Sequence, residues 1–238
     1  SKVTMGGLNP KQRTELKLKK VLCSTAAYEC MHYSFFSPSD LDMIDLAQDD
    51  PKRQAIKILN PINEDLSLMR TTLVPQMIAA ISRNNKKDNL EGRLFEVASR
   101  FIPKSLPLTD YPEERNTLVI GIWGDKEDFY SLKGIVNKVA ETLLVDFEYE
   151  AEALTYHHPY QAAKIVCNGE TVGHLGKVSY EVAEKYDLRT AAYVAEIDLA
   201  GLEKYYANKP SFTPVSKFAD EDRDLALVMN KDINCGQV

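Results

Sequence analysis

No apolar run in this 238-residue sequence approaches the ~20 residues that span a bilayer, so it offers no candidate transmembrane helix. Residues 1–7 carry no apolar h-region, which argues against a secretory signal, and a start at Ser1 suggests a piece of something longer. Glycine-rich phosphate loops are missing: neither GxGxxG nor GxxxxGK[ST] occurs, which removes the usual dinucleotide and P-loop chemistries. GxSxG, HExxH and the EF-hand pattern are also absent, so serine-hydrolase, zincin and calcium readings fall away. Positive charge is short as well. A net charge of −6 weighs against a general nucleic-acid binder, whose affinity comes from Lys and Arg neutralising phosphates. No DNA partner is expected, although a local patch could still touch RNA.

Cysteine is scarce. Cys23, Cys30, Cys167 and Cys235 form no CxxC pair, and Cys23 and Cys30, seven apart, are expected on one helix face. They read as reduced, small core residues. The sequence shows no His or Cys cluster that would support zinc, so no metal ligand is expected, and a cytoplasmic protein fits. What is present, 44% hydrophobic and 27% charged residues, is the balance of an ordinary globular protein.

Asn9 and Pro10 read as an N-cap and a first-turn proline, opening a helix over 10–31 with Leu18, Val21, Leu22, Thr25 and Ala26 in one stripe. Strands are expected over 31–36, ended by Pro38, and over 55–59, stopped by Asn60-Pro61. A helix over 71–83 turns Leu73, Met77, Ala80 and Ile81 inward, with Pro75 tolerable only in its first turn. The segment 93–101 alternates as a strand. The segment 117–123 is apolar on both faces, as a central strand covered on both sides would be. The cleanest helix spans 129–144, with Leu132, Ile135, Val136, Val139, Ala140 and Leu143 at helical spacing. Asn168-Gly169 between apolar strands signals a type I′ hairpin. A short helix near 179–186 and a strand over 193–199 follow. The elements indicate an α+β fold with a largely antiparallel sheet, with a doubly wound parallel sheet as the alternative. Two prolines over 208–214 mark a linker, after which 224–229 begins a strand too close to the end for an independent domain.

Few constellations carry chemistry. His157-His158 precede Pro159-Tyr160 and read as a loop with solvated or stacking imidazoles. His32 and His174 read as satisfied core or edge histidines. The acidic runs 40–50 and 220–224 read as solvated loops.

Four motifs, the last in two pieces, together resemble a known family. Asn60-Pro61-Ile62-Asn63-Glu64-Asp65-Leu66-Ser67-Leu68-Met69-Arg70-Thr71-Thr72-Leu73-Val74-Pro75 is similar to the NPxxxDxSxMRTxLLP signature of phenylalanine–tRNA ligase β subunits. Arg93-Leu94-Phe95-Glu96-Val97 resembles that family's RLFEIG strand, and Leu132-Lys133-Gly134 its DLKG helix start. Ser216-Lys217-Phe218-Ala219 and Arg223-Asp224-Leu225-Ala226-Leu227-Val228 resemble the opening of its anticodon-binding domain. The motifs stand in the family's order along nearly the whole chain.

The resemblance implies a class II aminoacyl-tRNA synthetase-like antiparallel sheet flanked by helices over 1–207. Over 208–238 it implies a linker and the start of a ferredoxin-like anticodon-binding domain. It further implies a pseudo-catalytic core that docks on a catalytic α subunit in an α2β2 assembly. ATP, magnesium and tRNA then belong to the whole complex, and no cofactor belongs to this segment. In the α subunit's second motif an FHQxEG strand stands beside an arginine that grips ATP; the comparable stretch 114–121 loses the Gln and Glu. In the third motif, Leu202 stands near the place of the nucleotide-binding arginine. Loss of the cationic groups implies loss of amino-acid activation, and no catalytic residue is assigned. Arg70 is expected to pair with Glu96 or Asp65, Lys133 to be solvated, and Gly134 to permit close packing. The family's pairing mode implies an interface on the first helix and the strand after it, with Tyr28, Met31, Tyr33 and Phe35 as candidates. A stand-alone amino-acid ligase and an RNA-binding module are the competing readings.

Overall fold

The computed structural model describes residues 6–206, 214, 217–218, 221–230 and 233. The chain divides into two units, Ser1–Asn208 and Lys209–Val238. In chain order the first unit contains α1 (Pro10–Ser24), β1 (Tyr28–Glu29), β2 (Phe35–Phe36), α2 (Pro38–Met43), β3 (Leu68–Met69), α3 (Val74–Asn85), β4 (Gly92–Ile102) and β5 (Glu113–Trp123). There follow α4 (Phe129–Leu143), β6 (Glu148–Ala151), β7 (His157–Cys167), β8 (Glu170–Val178), α5 (Tyr180–Lys185), β9 (Ala192–Asp198) and α6 (Leu199–Leu202).

The main sheet has seven strands in the order β1-β4-β5-β9-β8-β7-β6. Every pairing is antiparallel except β1 with β4. The α+β reading therefore holds, and a doubly wound parallel sheet does not. β2 and β3 form a separate two-stranded ribbon.

Core residues lie on both faces of the sheet. On one face, Leu118, Ile120 and Ile122 of β5 pack with Leu18 and Leu22 of α1 and with the apolar stripe of α4. On the other, Val119 and Trp123 pack with Met77, Ile78 and Ile81 of α3. Alternation along one strand feeds both cores, which is why 117–123 is apolar throughout. Leu94 and Phe95 divide between the two faces in the same way. At Gly121 a Cβ would stand 2.7 Å from the Met77 side chain, so the glycine lets α3 lie directly on β5. In the β7–β8 hairpin, Asn168 and Gly169 have φ of 49° and 79°, the positive values a type I′ turn requires.

Several boundaries differ from expectation. α1 stops at Ser24: the Thr25 hydroxyl donates to the Leu22 carbonyl at 2.7 Å, and Ala26 turns left-handed at φ 61°. Cys23 and Cys30 therefore share no helix, and Cys23 is exposed instead of buried in the core. Of the strand expected over 31–36 only Phe35–Phe36 forms, because the chain leaves the main sheet after β1 and pairs again only with β3. Pro38 opens α2, with Ser37 as its cap, so part of the acidic run 40–50 is helical. Over 55–59 there is only an isolated bridge between Lys57 and Leu68, because its partner β3 is two residues long. In the second unit the described residues 221–230 form no strand, and Leu225 is exposed. Most of the 208–214 linker, Ser216, Ala219 and Cys235 lie outside the described residues.

Candidate functional site

After β1 the backbone of 30–34 has no regular structure, yet β4, Arg70 and α3 hold it at nearly every residue. The Cys30 amide donates to the Phe95 carbonyl at 2.8 Å. The His32 amide donates to Glu96 Oε1 at 3.2 Å, and His32 Nδ1 lies 2.6 Å from Glu96 Oε2. The Tyr33 carbonyl accepts from Arg70 Nη1 at 3.3 Å and Gln76 Nε2 at 2.7 Å, and the Ser34 carbonyl accepts from the Arg70 amide at 3.0 Å.

An extended chain alternates its side chains. Cys30 and His32 turn toward the sheet, while Met31 and Tyr33 are presented outward at 89% and 65% exposure, beside Tyr28 at 76%. Met31 and Tyr33 border one cavity, and Tyr28 another beside Asn89 and Trp123. Phe35, the fourth candidate, is half-buried. It borders a shallow cavity of about 660 Å³ together with Met31, His32, Tyr33, Pro75 and Gln76.

Beneath this strap is a buried ionic network. Arg70 and Glu96 are 2% and 3% exposed and approach at 3.1 Å. Arg70 also donates from Nε to the Ser99 carbonyl and from Nη1 to Gln76 Oε1. Burial pushes the Glu96 carboxyl up, but the His32 hydrogen bond and the Arg70 charge outweigh it and hold the group below its ordinary range. Burial and the neighbouring Glu96 push the Cys30 thiol up to about 12. The absence of a His/Cys cluster, expected from the sequence, does not hold: one donor atom each from Cys30, His32 and Glu96 lie within 4.8 Å of one another. The available signal was the Cys-x-His spacing, which puts both side chains on one face; the partner Glu96 is 64 residues away from His32 in sequence.

The stretches compared with the second and third class motifs come together on the two strands that follow β4 in the sheet, with Val119 and Glu196 in register with Glu96. Residues 114–121 lie in β5, and 194–202 run through the adjacent β9 into α6. A pocket of about 200 Å³ opens near them, lined by Lys52, Arg100, Tyr156, His174, Glu196 and Asp198. An arginine is retained in this stretch, contrary to expectation, but it is already engaged. Arg115 Nε and Arg100 Nη2 donate to the same Asp198 oxygen at 2.9 and 3.1 Å. Glu196 Oε1 accepts from the Thr72 hydroxyl at 2.8 Å and the Leu73 amide at 2.7 Å. His174 Nε2 lies 2.8 Å from Glu152. Leu202 is fully buried in the core. Arg100 Nη2, Arg115 and Glu196 are thus engaged by neighbouring residues, while Lys52 lines the pocket and the buried Arg100 Nε has no hydrogen-bond partner.

The remaining candidates fall outside both places. Lys133 is not simply solvated: its ammonium stands 4.5 Å from the centre of the Tyr149 ring. Gly134 is exposed and a Cβ there would meet nothing, so it serves no close packing. His157 is buried inside β7 instead of lying in a solvated loop, and neither ring nitrogen has a partner. Burial, with His174 and Lys52 adding to it, lowers its pKa to about 3.

The architecture is that of a class II aminoacyl-tRNA synthetase core. Pyrrolysyl-tRNA synthetase from Desulfitobacterium hafniense superposes with a TM-score of 0.66 at 16% identity, covering 81% of this chain and 68% of that one. A second structure of the same enzyme covers 82% and 67% at 14% identity, also with a TM-score of 0.66. Residues 1–199 match the phenylalanyl-tRNA synthetase β-chain CLM domain, and the chain belongs to that family. The phenylalanine–tRNA ligase β subunit of Clostridium tetani is 37% identical over 230 residues, which is 95% of this chain and 29% of the relative. That of Clostridium acetobutylicum is 35% identical over 216 residues, 90% of this chain and 27% of the relative. The chain thus spans under a third of the length of these relatives. Among the described residues no helix is long and apolar enough to cross a membrane.

Proposed function

We propose that this chain is the non-catalytic core of a phenylalanine–tRNA ligase β subunit, supporting ATP-dependent attachment of phenylalanine to its tRNA by docking on a catalytic α subunit. In the whole complex, an α2β2 assembly in the cytoplasm, ATP and magnesium serve the α subunit's site, and tRNA is the shared partner. The observation that carries this reading is the presented strip Tyr28, Met31 and Tyr33, exposed on a backbone that buried side chains hold in place. Pre-ordering such a strip lowers the entropy cost of association. The saturated ion pairs at Asp198 support a docking role over catalysis by the chain itself.

Sedimentation of the purified chain with an α subunit tests this. A stable complex is expected, and Tyr28→Asp with Tyr33→Asp should weaken it at least tenfold while leaving the chain folded. Full association by that double variant, or ATP–pyrophosphate exchange by the isolated chain, would overturn the proposal.

A further inference from the structure

We propose that Cys30, His32 and Glu96 form a binding site for one zinc ion beneath the strap that carries Met31 and Tyr33. The three donor atoms already lie within 4.8 Å of one another. Ligands sharing a tetrahedral zinc at about 2.0–2.3 Å stand roughly 3.3–3.8 Å apart, so the Cys30 sulfur need close by no more than about an ångström, while His32 Nδ1 and Glu96 Oε2, now 2.6 Å apart, part by under an ångström as the ion takes the place of the proton between them. Two ligands belong to the strap and the third to β4, and the Cys30 amide is hydrogen-bonded to the residue before Glu96 at 2.8 Å. The backbone therefore brings strap and strand together without the ion, and the ion has only side chains to adjust.

The donors select the metal. A thiolate, an imidazole and a carboxylate suit zinc, whereas magnesium and calcium take oxygen alone. Glu96 Oε1 is held by Arg70 at 3.1 Å and by the His32 amide at 3.2 Å, leaving Oε2 for the ion. Arg70 is then the outer partner that orients the carboxylate. The protons balance as well: zinc displaces the Cys30 thiol proton, which leaves to solvent, and a neutral His32 offers Nδ1 once its N–H stands on Nε2, freeing Glu96 Oε2 for the ion. His32 borders the 660 Å³ cavity, so water can reach the fourth position. Without an ion, the same atoms would be a plain His–Glu–Arg hydrogen-bond network with a thiol alongside, and metal titration separates the two.

The experiment uses the full 238-residue chain, stripped with chelator and titrated with cobalt(II), then with zinc. One equivalent of cobalt should give a thiolate-to-metal charge-transfer band that zinc abolishes, and zinc binding should release the Cys30 thiol proton, measured calorimetrically in buffers of different ionisation heat. Cys30→Ser should remove the band, and Cys23→Ser should keep it. His32→Gln should weaken zinc affinity by about 100-fold or more, beyond the range typical of outer-partner changes. Circular dichroism checks each fold; where Cys30→Ser unfolds, His32→Gln decides. No stoichiometric binding, or a charge-transfer band that survives Cys30→Ser, overturns the site. Because no α subunit enters this test, its outcome is separate from that of the docking proposal.

Discussion

Arg70 and Glu96 meet at 3.1 Å with almost no solvent around either, and the strap over 30–34 hangs from both of them. Removing one partner leaves the other charged and buried. Arg70→Leu should therefore cost about 3–5 kcal/mol of stability, read from urea denaturation. The same change should loosen the strap, seen as faster amide exchange at His32 and Tyr33. A loss below about 1 kcal/mol would mean that the network is not the strap's anchor.

Val139 is fully buried between α4 and the sheet. Val139→Asp places an unpaired carboxylate there and should cost several kcal/mol, lowering Tm by many degrees or preventing folding. A Tm close to that of the parent chain would place this helix face elsewhere.

Arg100 and Arg115 are both committed to Asp198. Titration calorimetry with ATP and magnesium should accordingly give a dissociation constant in the millimolar range or no heat at all. Micromolar binding would show that these pairs open for a nucleotide.

His157 has a pKa of about 3 in the fold against an ordinary 6.5, with both nitrogens unpartnered. Below pH 6.5 the unfolded chain takes up a proton that the folded chain refuses, so stability falls as pH drops from about 6.5 toward 3. His157→Leu removes this term and two buried polar atoms without partners. It should raise Tm by a few degrees at neutral pH and flatten the acid limb, measured by thermal melts from pH 4 to 8. An unchanged acid limb would mean that His157 reaches solvent or a partner when charged.

Local chemistry made much of this fold legible. Asn168-Gly169 sets its own turn, Pro10 and Pro75 sit at helix starts, and the stripe from Leu132 to Leu143 is a helix face wherever the helix packs. The end of α1 was not legible, because a Thr25 hydroxyl turned back on a carbonyl competes with an apolar stripe that continues past it. The candidate strip was half legible: an apolar segment can be covered on either face, and Phe35 is half covered where Met31 is not.

Periodicity, turn residues and motif order along the chain determined the elements, the α+β class and the family resemblance, because each depends on residues close in sequence. Tertiary structure alone decided which charges neutralise one another. Arg100, Arg115 and Asp198 come from three strands, and Cys30, His32 and Glu96 from a strap and a distant strand. Strand order and register set those distances, and they arise only when the whole sheet assembles.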